Sequence, residues 1–335
     1  MSMSSSTFFS TASNLRQSLA PAMQKVDEQL IAMGQSLIPL IPEMSAHIMA
    51  AGGKRLRPLL TLACAEIFNY SGKEHIILAA CVECMHTATL LHDDVVDDGI
   101  SRRGIETANY RWGNKSSILV GDFLLGQAFA HMVLPGSLEV LRVLSNAAKI
   151  ISEGEIEQLV LQQNKNWPSV AEYKSVITAK TAILFAAACE VGGIIALQDA
   201  KICASLHEYG LHLGIAFQIM DDILDIIAEE EILGKPPGND LFDGKLTLPM
   251  IYAYEEADTG TKEKWRNLLE NINIANDMRL QKLRLLLKSS EGLEKAQRDA
   301  ISHAKKSYES LDFLPDSWLK KQLQDLARYA SERHF

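Results

Sequence analysis

Apolar residues recur at three-and-four spacing along nearly the whole chain. The clearest segments are 76–96, 116–133, 138–164, 170–189 and 200–229, where Leu, Ile, Ala and Met hold a helical period. Alternating runs of β-branched residues are missing, so no strand of consequence is expected. Breaks are predicted where Gly and Pro collect: Gly52-Gly53, Gly72, Gly99, Gly113, Pro135-Gly136, Pro168, Gly192-Gly193, and Gly234 to Gly244. From about residue 255 onward, charged and apolar residues alternate as they do in solvated amphipathic helices. No linker divides the chain. The pattern predicts one all-α domain over 1–335, with residues 1–20 as a loose N-terminal extension.

Composition narrows the function. The 335 residues are 47% hydrophobic, enough for a large core, and the net charge is -9. That acidity argues against nucleic acid, or an anionic membrane surface, as the main partner. No uninterrupted apolar run is long enough to span a bilayer, so no transmembrane segment is expected. The first residues, MSMSSSTFFSTASNLRQ, lack the apolar stretch of a secretory signal and are poor in Arg for a transit peptide. The five cysteines are odd in number and form no framework, which fits reduced thiols and a cytoplasmic location. Cys81 and Cys84 form a CxxC with no second ligand pair, and they read as small apolar residues on a helix face.

The candidate chemistry begins with two acidic clusters. Leu90-Leu91-His92-Asp93-Asp94-Val95-Val96-Asp97-Asp98 and Gln218-Ile219-Met220-Asp221-Asp222-Ile223-Leu224-Asp225 both contain DDxxD. On a helix, residues three and four apart share a side, so each cluster gathers its carboxylates. Like charges at this spacing destabilise a helix. A single such motif reads as a solvated acidic turn. Two copies, each ending an apolar segment, read instead as hard oxygen ligands for Mg²⁺, which bridges a few carboxylates to phosphates.

Basic residues stand in matching short contexts. Gly52-Gly53-Lys54-Arg55-Leu56-Arg57-Pro58 places cations on a glycine-led turn into a helix, where backbone N–H groups add to anion binding. Ser101-Arg102-Arg103-Gly104 follows the first acidic cluster, and Lys235 and Lys245 follow the second. Lys180-Thr181 lies inside an apolar helix, where an unpaired lysine is costly. Six aspartates balance three divalent ions. Two diphosphates of about three negative charges each then face seven cations: Lys54, Arg57, Arg102, Arg103, Lys180, Lys235 and Lys245.

Taken together, GGKRLRP at 52–58, HTATLLHDDVVD at 86–97, RRG at 102–104, KTA at 180–182, GLHLGIAFQIMDDILD at 210–225 and GKPPGNDLFDGKLTLP at 234–249 resemble the trans-isoprenyl (polyprenyl) diphosphate synthases. The motifs span most of the chain in the family's order. The resemblance implies an all-α isoprenoid synthase bundle around a deep central cavity, usually a homodimer, with Mg²⁺ (three ions per site) as cofactor. It implies that Asp93, Asp94, Asp97, Asp221, Asp222 and Asp225 bind metal. It assigns Arg102, Lys180, Thr181, Gln218, Lys235 and Lys245 to an allylic diphosphate, and Gly53, Lys54, Arg57, His86 and Arg103 to isopentenyl diphosphate. His86 lies two helical turns before Asp93, on the same face. The implied reaction joins the two diphosphates head to tail, with released diphosphate taking the proton.

Product length is read from the stripe before the first cluster. Thr89, Ala88, Met85, Cys84, Cys81 and Leu78 follow helical spacing and would line the tail's path. Ala88 and Thr89 are small, where short-chain members often carry an aromatic plug, and the motif resembles long-chain quinone-tail synthases more closely. Phe129 or Met132 would set a deeper floor, and an octaprenyl-like product serving quinone side chains is expected. Three alternatives remain: a short-chain farnesyl or geranylgeranyl synthase, a class I terpene cyclase, and a non-catalytic subunit of a heteromeric synthase. A cyclase would not need the second cationic site, and such subunits tend to lack one aspartate cluster.

Overall fold

In a computed structural model, residues 4–50, 52–102, 104–163, 167–227, 245–269 and 277–332 are described. Helices dominate them, in the order α1 (Ser4–Ser18), α2 (Ala20–Met33), α3 (Leu40–Ala50), α4 (Leu56–Glu66), α5 (Glu74–Val96), α6 (Ala108–Trp112), α7 (Asn114–Met132), α8 (Leu138–Gln163), α9 (Val170–Ile177), α10 (Ile183–Ile195) and α11 (Ala200–Ile227). After these come α12 (Leu248–Glu256), α13 (Thr259–Leu269), α14 (Asp277–Lys288), α15 (Gly292–Glu309) and α16 (Trp318–Ala330). A single π-helical turn, Thr178–Ala182, joins α9 to α10 without a break. The two-residue strands β1 (Ser101–Arg102) and β2 (Ile105–Glu106) pair antiparallel, Arg102 opposite Ile105.

The centre of the bundle is α10, which lies against α4, α8 and α11. It is apolar on nearly every side, as a largely enclosed helix must be, with Glu190 its one charged residue. Gly192 and Gly193, expected as a break, lie inside α10 instead. A Cβ on Gly192 would fall 2.7 Å from the Thr61 carbonyl oxygen, so the glycine permits close contact with α4 rather than ending the helix. Residues 4–18, expected as part of a loose extension, form α1, in which Phe8 and Leu15 are fully buried. α1 lies against α16.

One apolar cluster joins residues of α1, α2, α4, α5, α7, α8, α10 and α11. A second, around Tyr173, Ile219 and Ile223, supports the C-terminal half of α11. In a third, the Trp167 ring stacks on Tyr254 at 3.8 Å, edge-on to the buried Trp265. Each fully buried large side chain contributes roughly 1.5–3 kcal/mol of transfer free energy. By length and composition, Glu74–Val96 and Val170–Ile195 could each cross a membrane, but both are core helices, 67% buried inside the bundle. All five cysteines are free and buried. Burial pushes the Cys84 thiol up to about 12, and it donates to the Leu124 carbonyl at 3.2 Å, so the CxxC fills space between helices.

Candidate active site

The buried body of α5, from Leu78 to Leu91, delivers the first acidic cluster to the helix's C-terminal end. Negative charge is unfavourable there, because the helix dipole leaves that end partly negative. Among the described residues, three separate cations compensate it. Arg102 Nε and Nη2 donate to Asp94 Oδ1 at 3.0 and 2.9 Å, from the strand that turns back beneath the helix. Lys245 Nζ lies 2.8 Å from Asp97 Oδ2, and Lys180 Nζ lies 3.8 Å from Asp93 Oδ2. Asp94 is 5% exposed. Burial raises its carboxyl above the usual range, Arg102 opposes the rise, and Asp93 and Asp97 add to it.

The second cluster lies in the last two described turns of α11. Asp222 and Asp225 are buried, while Asp221 is half-buried. Asp222 accepts from the Tyr173 hydroxyl at 2.6 Å and from Gln218 Nε2 at 2.7 Å. Gln218 Oε1 in turn accepts from the Thr181 hydroxyl at 3.0 Å. The six carboxylates are therefore not equivalent. Asp94 and Asp222 are buried against protein donors, and Asp93, Asp97 and Asp221 are the less buried ones.

Lys180 and Thr181 occupy the π turn, where the Ile183 N–H reaches back five residues to the Thr178 carbonyl. The widened turn sends the two neighbours to different partners, Lys180 to the first cluster and Thr181 to Gln218 below the second. α8 comes within direct contact of this turn, since a Cβ on Gly154 would sit 2.6 Å from Ala179 Cβ. The next residue, Glu155, puts Oε2 2.7 Å from Lys180 Nζ. Glu155 was not among the candidates read from sequence. A glycine inside a 26-residue helix, flanked by Glu153 and Glu155, was the one available signal.

The cationic turn into α4 bends through left-handed backbone at Gly52 (φ 71°) and Arg55 (φ 49°). Gly53 and Lys54 are exposed. Arg55 donates to the buried Glu83 at 2.7 Å, a pair the sequence reading also missed. Arg57 points inward, with its Cζ 4.4 Å from the Phe185 ring centre and its Nε sealed from solvent. Burial lowers its pKa to about 10, while the charges of Glu83 and Asp221 hold it up. His86, half-buried on α5, follows Glu83 by three residues. Arg103 and Lys235 lie outside the described residues, as does the rest of 228–244.

Of the product-length residues, Met85 and Ala88 are buried on α5 and Thr89 is half-buried. On α7, Met132 is fully buried and Phe129 half-buried against the main core. The bond from Cys84 to α7's backbone puts this stripe between α5 and α7.

Among the described residues, no three His, Cys, Asp or Glu side chains converge as a ready-made metal cage. The donor chemistry nonetheless fits hard divalent cations. Mg²⁺ needs only one or two carboxylates when phosphate oxygens and water complete its shell. A separate hollow of about 230 Å³ lies between α8, α10 and α11, floored by Val143, Ala147 and Ala187. Its α8 residues, Val143 and Ala147, lie 12 and 8 residues before Glu155, or about 12–18 Å along the helix.

Residues 38–284 match the family model described as polyprenyl synthetase. The chain is 40% identical over 317 residues to the octaprenyl diphosphate synthase of Escherichia coli (strain K12), covering 94% of this chain and 96% of that one. It superposes with a TM-score of 0.90 on a crystal structure of a decaprenyl diphosphate synthase from Rhodobacter capsulatus, at 43% identity, covering 96% and 99% of the two chains. The TM-score is also 0.90 to the polyprenyl synthase of Caulobacter crescentus CB15 complexed with calcium and isoprenyl diphosphate, at 38% identity and 96% and 98% coverage.

Proposed function

The chain belongs to the polyprenyl synthetase family, and on that premise we propose that it extends an allylic diphosphate by successive head-to-tail addition of isopentenyl diphosphate. It is a long-chain trans-prenyltransferase, as its octaprenyl and decaprenyl relatives are. One observation supports the chemistry most directly: both acidic clusters lie on buried helices joined by one bridge, Lys180 touching the first and Thr181 and Gln218 the second. A second cationic group, Lys54 just before α4 and Arg57 in its first turn, supports a second diphosphate position.

Asp93, Asp97 and Asp221, with Asp94, Asp222 and Asp225 behind them, would hold divalent cations. Mg²⁺ is the one we propose, three per site, and it supplies charge for the departing diphosphate when bound. The Caulobacter relative carries calcium with isoprenyl diphosphate, which supports a divalent ion at such a site. Lys180, Thr181, Gln218, Arg102 and Lys245, with Lys235, would hold the allylic diphosphate. Gly53, Lys54, Arg57, His86 and Arg103 would pin isopentenyl diphosphate with its double bond at the reacting carbon. No protein base is assigned, because released diphosphate can accept the proton.

An octaprenyl-like product for quinone side chains is the finer reading, and Ala88 on α5 supports it. We also propose a homodimer, for which exposed Ile118 and Leu119 on α7 and Tyr110 on α6 offer apolar surface. The buried free thiols fit a reducing cytoplasm. The test is the purified chain with isopentenyl and farnesyl diphosphates, with and without Mg²⁺, followed by product mass. Mg²⁺-dependent C35–C50 products are expected. A cyclised product, a product ending at C20, or no product from the lone chain would reject the reading.

A further inference from the structure

Lys180 is held by an acid that the proposed reaction does not use. Its ammonium lies 2.7 Å from Glu155 Oε2 but 3.8 Å from Asp93 Oδ2. The first is a charge-assisted hydrogen bond and the second a looser ion pair. A lysine chain has four rotatable carbons, so its charge goes where its best partner stands. We propose that Glu155 is a positioning residue: it draws the Lys180 ammonium off Asp93 and fixes it where the leaving diphosphate of the allylic substrate must sit.

The surroundings of Glu155 support a functional role over a purely structural one. Its second oxygen, Oε1, is buried without a hydrogen-bond partner. Such orphaned acceptors are uncommon and cost stability. The negative charges of Asp93 and Asp97 also disfavour an ionised group here, and among the described residues Lys180 offsets them. An apolar residue would pack this position at lower cost. Glu155 is also rigidly mounted. Gly154 brings α8 against the π turn, and Ser175 clips α9 to Glu157 on α8 at 2.9 Å. In the absence of Glu155, Asp93 is the nearest described acid to Lys180, and the lysine would close on the carboxylate that metal needs.

The inference rests on assigning Lys180 to the allylic diphosphate, so the experiment separates the two. Steady-state kinetics on the full-length enzyme would compare Lys180→Ala, Glu155→Ala, Glu155→Gln and Glu155→Ala/Lys180→Ala, varying allylic substrate, isopentenyl diphosphate and Mg²⁺ in turn. Glu155→Ala should lower kcat/KM for the allylic substrate by about tenfold or more, the size of one charge-assisted hydrogen bond, and leave the KM for isopentenyl diphosphate within about twofold. Glu155→Gln keeps an oxygen acceptor for Lys180 and should recover most of that loss. The double variant should be no worse than Lys180→Ala, because both act through one ammonium. If Lys180→Ala leaves the allylic KM unmoved, the substrate assignment fails. If Lys180→Ala moves it and Glu155→Ala does not, or the two losses add, positioning is overturned. A raised Mg²⁺ requirement with unchanged allylic KM would also overturn it, by making Glu155 a metal ligand. Should Glu155→Ala not fold, the Gln variant decides: its allylic kcat/KM must fall measurably while that for isopentenyl diphosphate holds.

Discussion

Replacing Ala88 with tyrosine tests the long-chain reading most directly. Ala88 is 1% exposed on α5, five residues before Asp93, or about 8 Å along the helix. Two outcomes have different energetics. If Ala88 faces close-packed wall, a phenol ring must force its way in, and overpacking of this kind costs about 1–3 kcal/mol. If it faces the tail's channel, the ring enters space that substrate would fill, and the folded enzyme loses little. Stability and product length therefore move in opposite senses. The channel predicts a melting temperature within a few degrees of wild type, unchanged addition of the first isopentenyl unit, and products cut to C15–C20. Differential scanning calorimetry and mass spectrometry of extracted products report both. A well-folded Ala88→Tyr enzyme that still makes full-length product would refute the channel. So would a wild type that stops at C15. Trimming Met132 or Phe129 to alanine should lengthen the product instead, since both sit deeper on α7, against the helix that carries Ala88.

Other perturbations probe the rest of the site. Asp93→Ala or Asp221→Ala should lower turnover by about a hundredfold or more with circular dichroism unchanged, the scale for removing one electrostatic contact to a transition state; near-normal turnover at ordinary Mg²⁺ would sink the metal assignment. Lys54→Ala should raise the KM for isopentenyl diphosphate and spare the allylic one, and the reverse pattern would show that the cations are wrongly divided. His303 and His212 meet through their Nδ1 atoms at 3.0 Å between α15 and α11. Burial first, then the charges of His212, Lys306 and Lys174, push His303 down to about 4. The unfolded chain then binds the extra proton between about pH 6.5 and 4, so stability holds above that window and falls through it. The loss, allowing for partial solvent exposure, is on the order of 2 kcal/mol, and His303→Gln should flatten the urea midpoint between pH 7 and pH 5.

The helices were legible because their apolar period is strong and local. Segments read as 76–96, 116–133, 138–164 and 200–229 correspond to α5, α7, α8 and α11 within two residues at each end. What failed was local too, but ambiguous. Gly192-Gly193 carries the same signal whether a helix stops or two helices touch, and only the position of Thr61 decides it. The cations were legible because lysine in an apolar helix and arginine beside glycine are locally odd. Their acidic partners were not. Glu83 and Glu155 look like ordinary helix-surface glutamates until folding brings Arg55 and Lys180 against them, 28 and 25 residues away in sequence.

The two motifs, Asp93–Asp97 and Asp221–Asp225, share the DDxxD pattern, yet neither presents three equal carboxylates. A carboxylate can accept several hydrogen bonds, and each one taken by protein is one fewer for a metal or its water. Asp94 spends one oxygen on both Arg102 donors, and Asp222 spends one oxygen on Tyr173 and the other on Gln218. Asp94 anchors the end of α5, where unpaired negative charge would otherwise fray the helix, and Asp222 is tied to α9 through Tyr173. The first residues, Asp93 and Asp221, are less buried, and each faces a cation that could shift to a phosphate: Lys180 for one, Arg57 for the other. The motif thus combines an anchoring carboxylate with a mobile partnership one residue earlier. The π turn at Thr178–Ala182 makes the anchoring continuous, since Thr181 ties Gln218 to the same segment that carries Lys180. A regular α-helical turn, with about 100° between neighbours, would aim that pair differently. Bridging both clusters from one helix is therefore a property of the turn as much as of the residues in it.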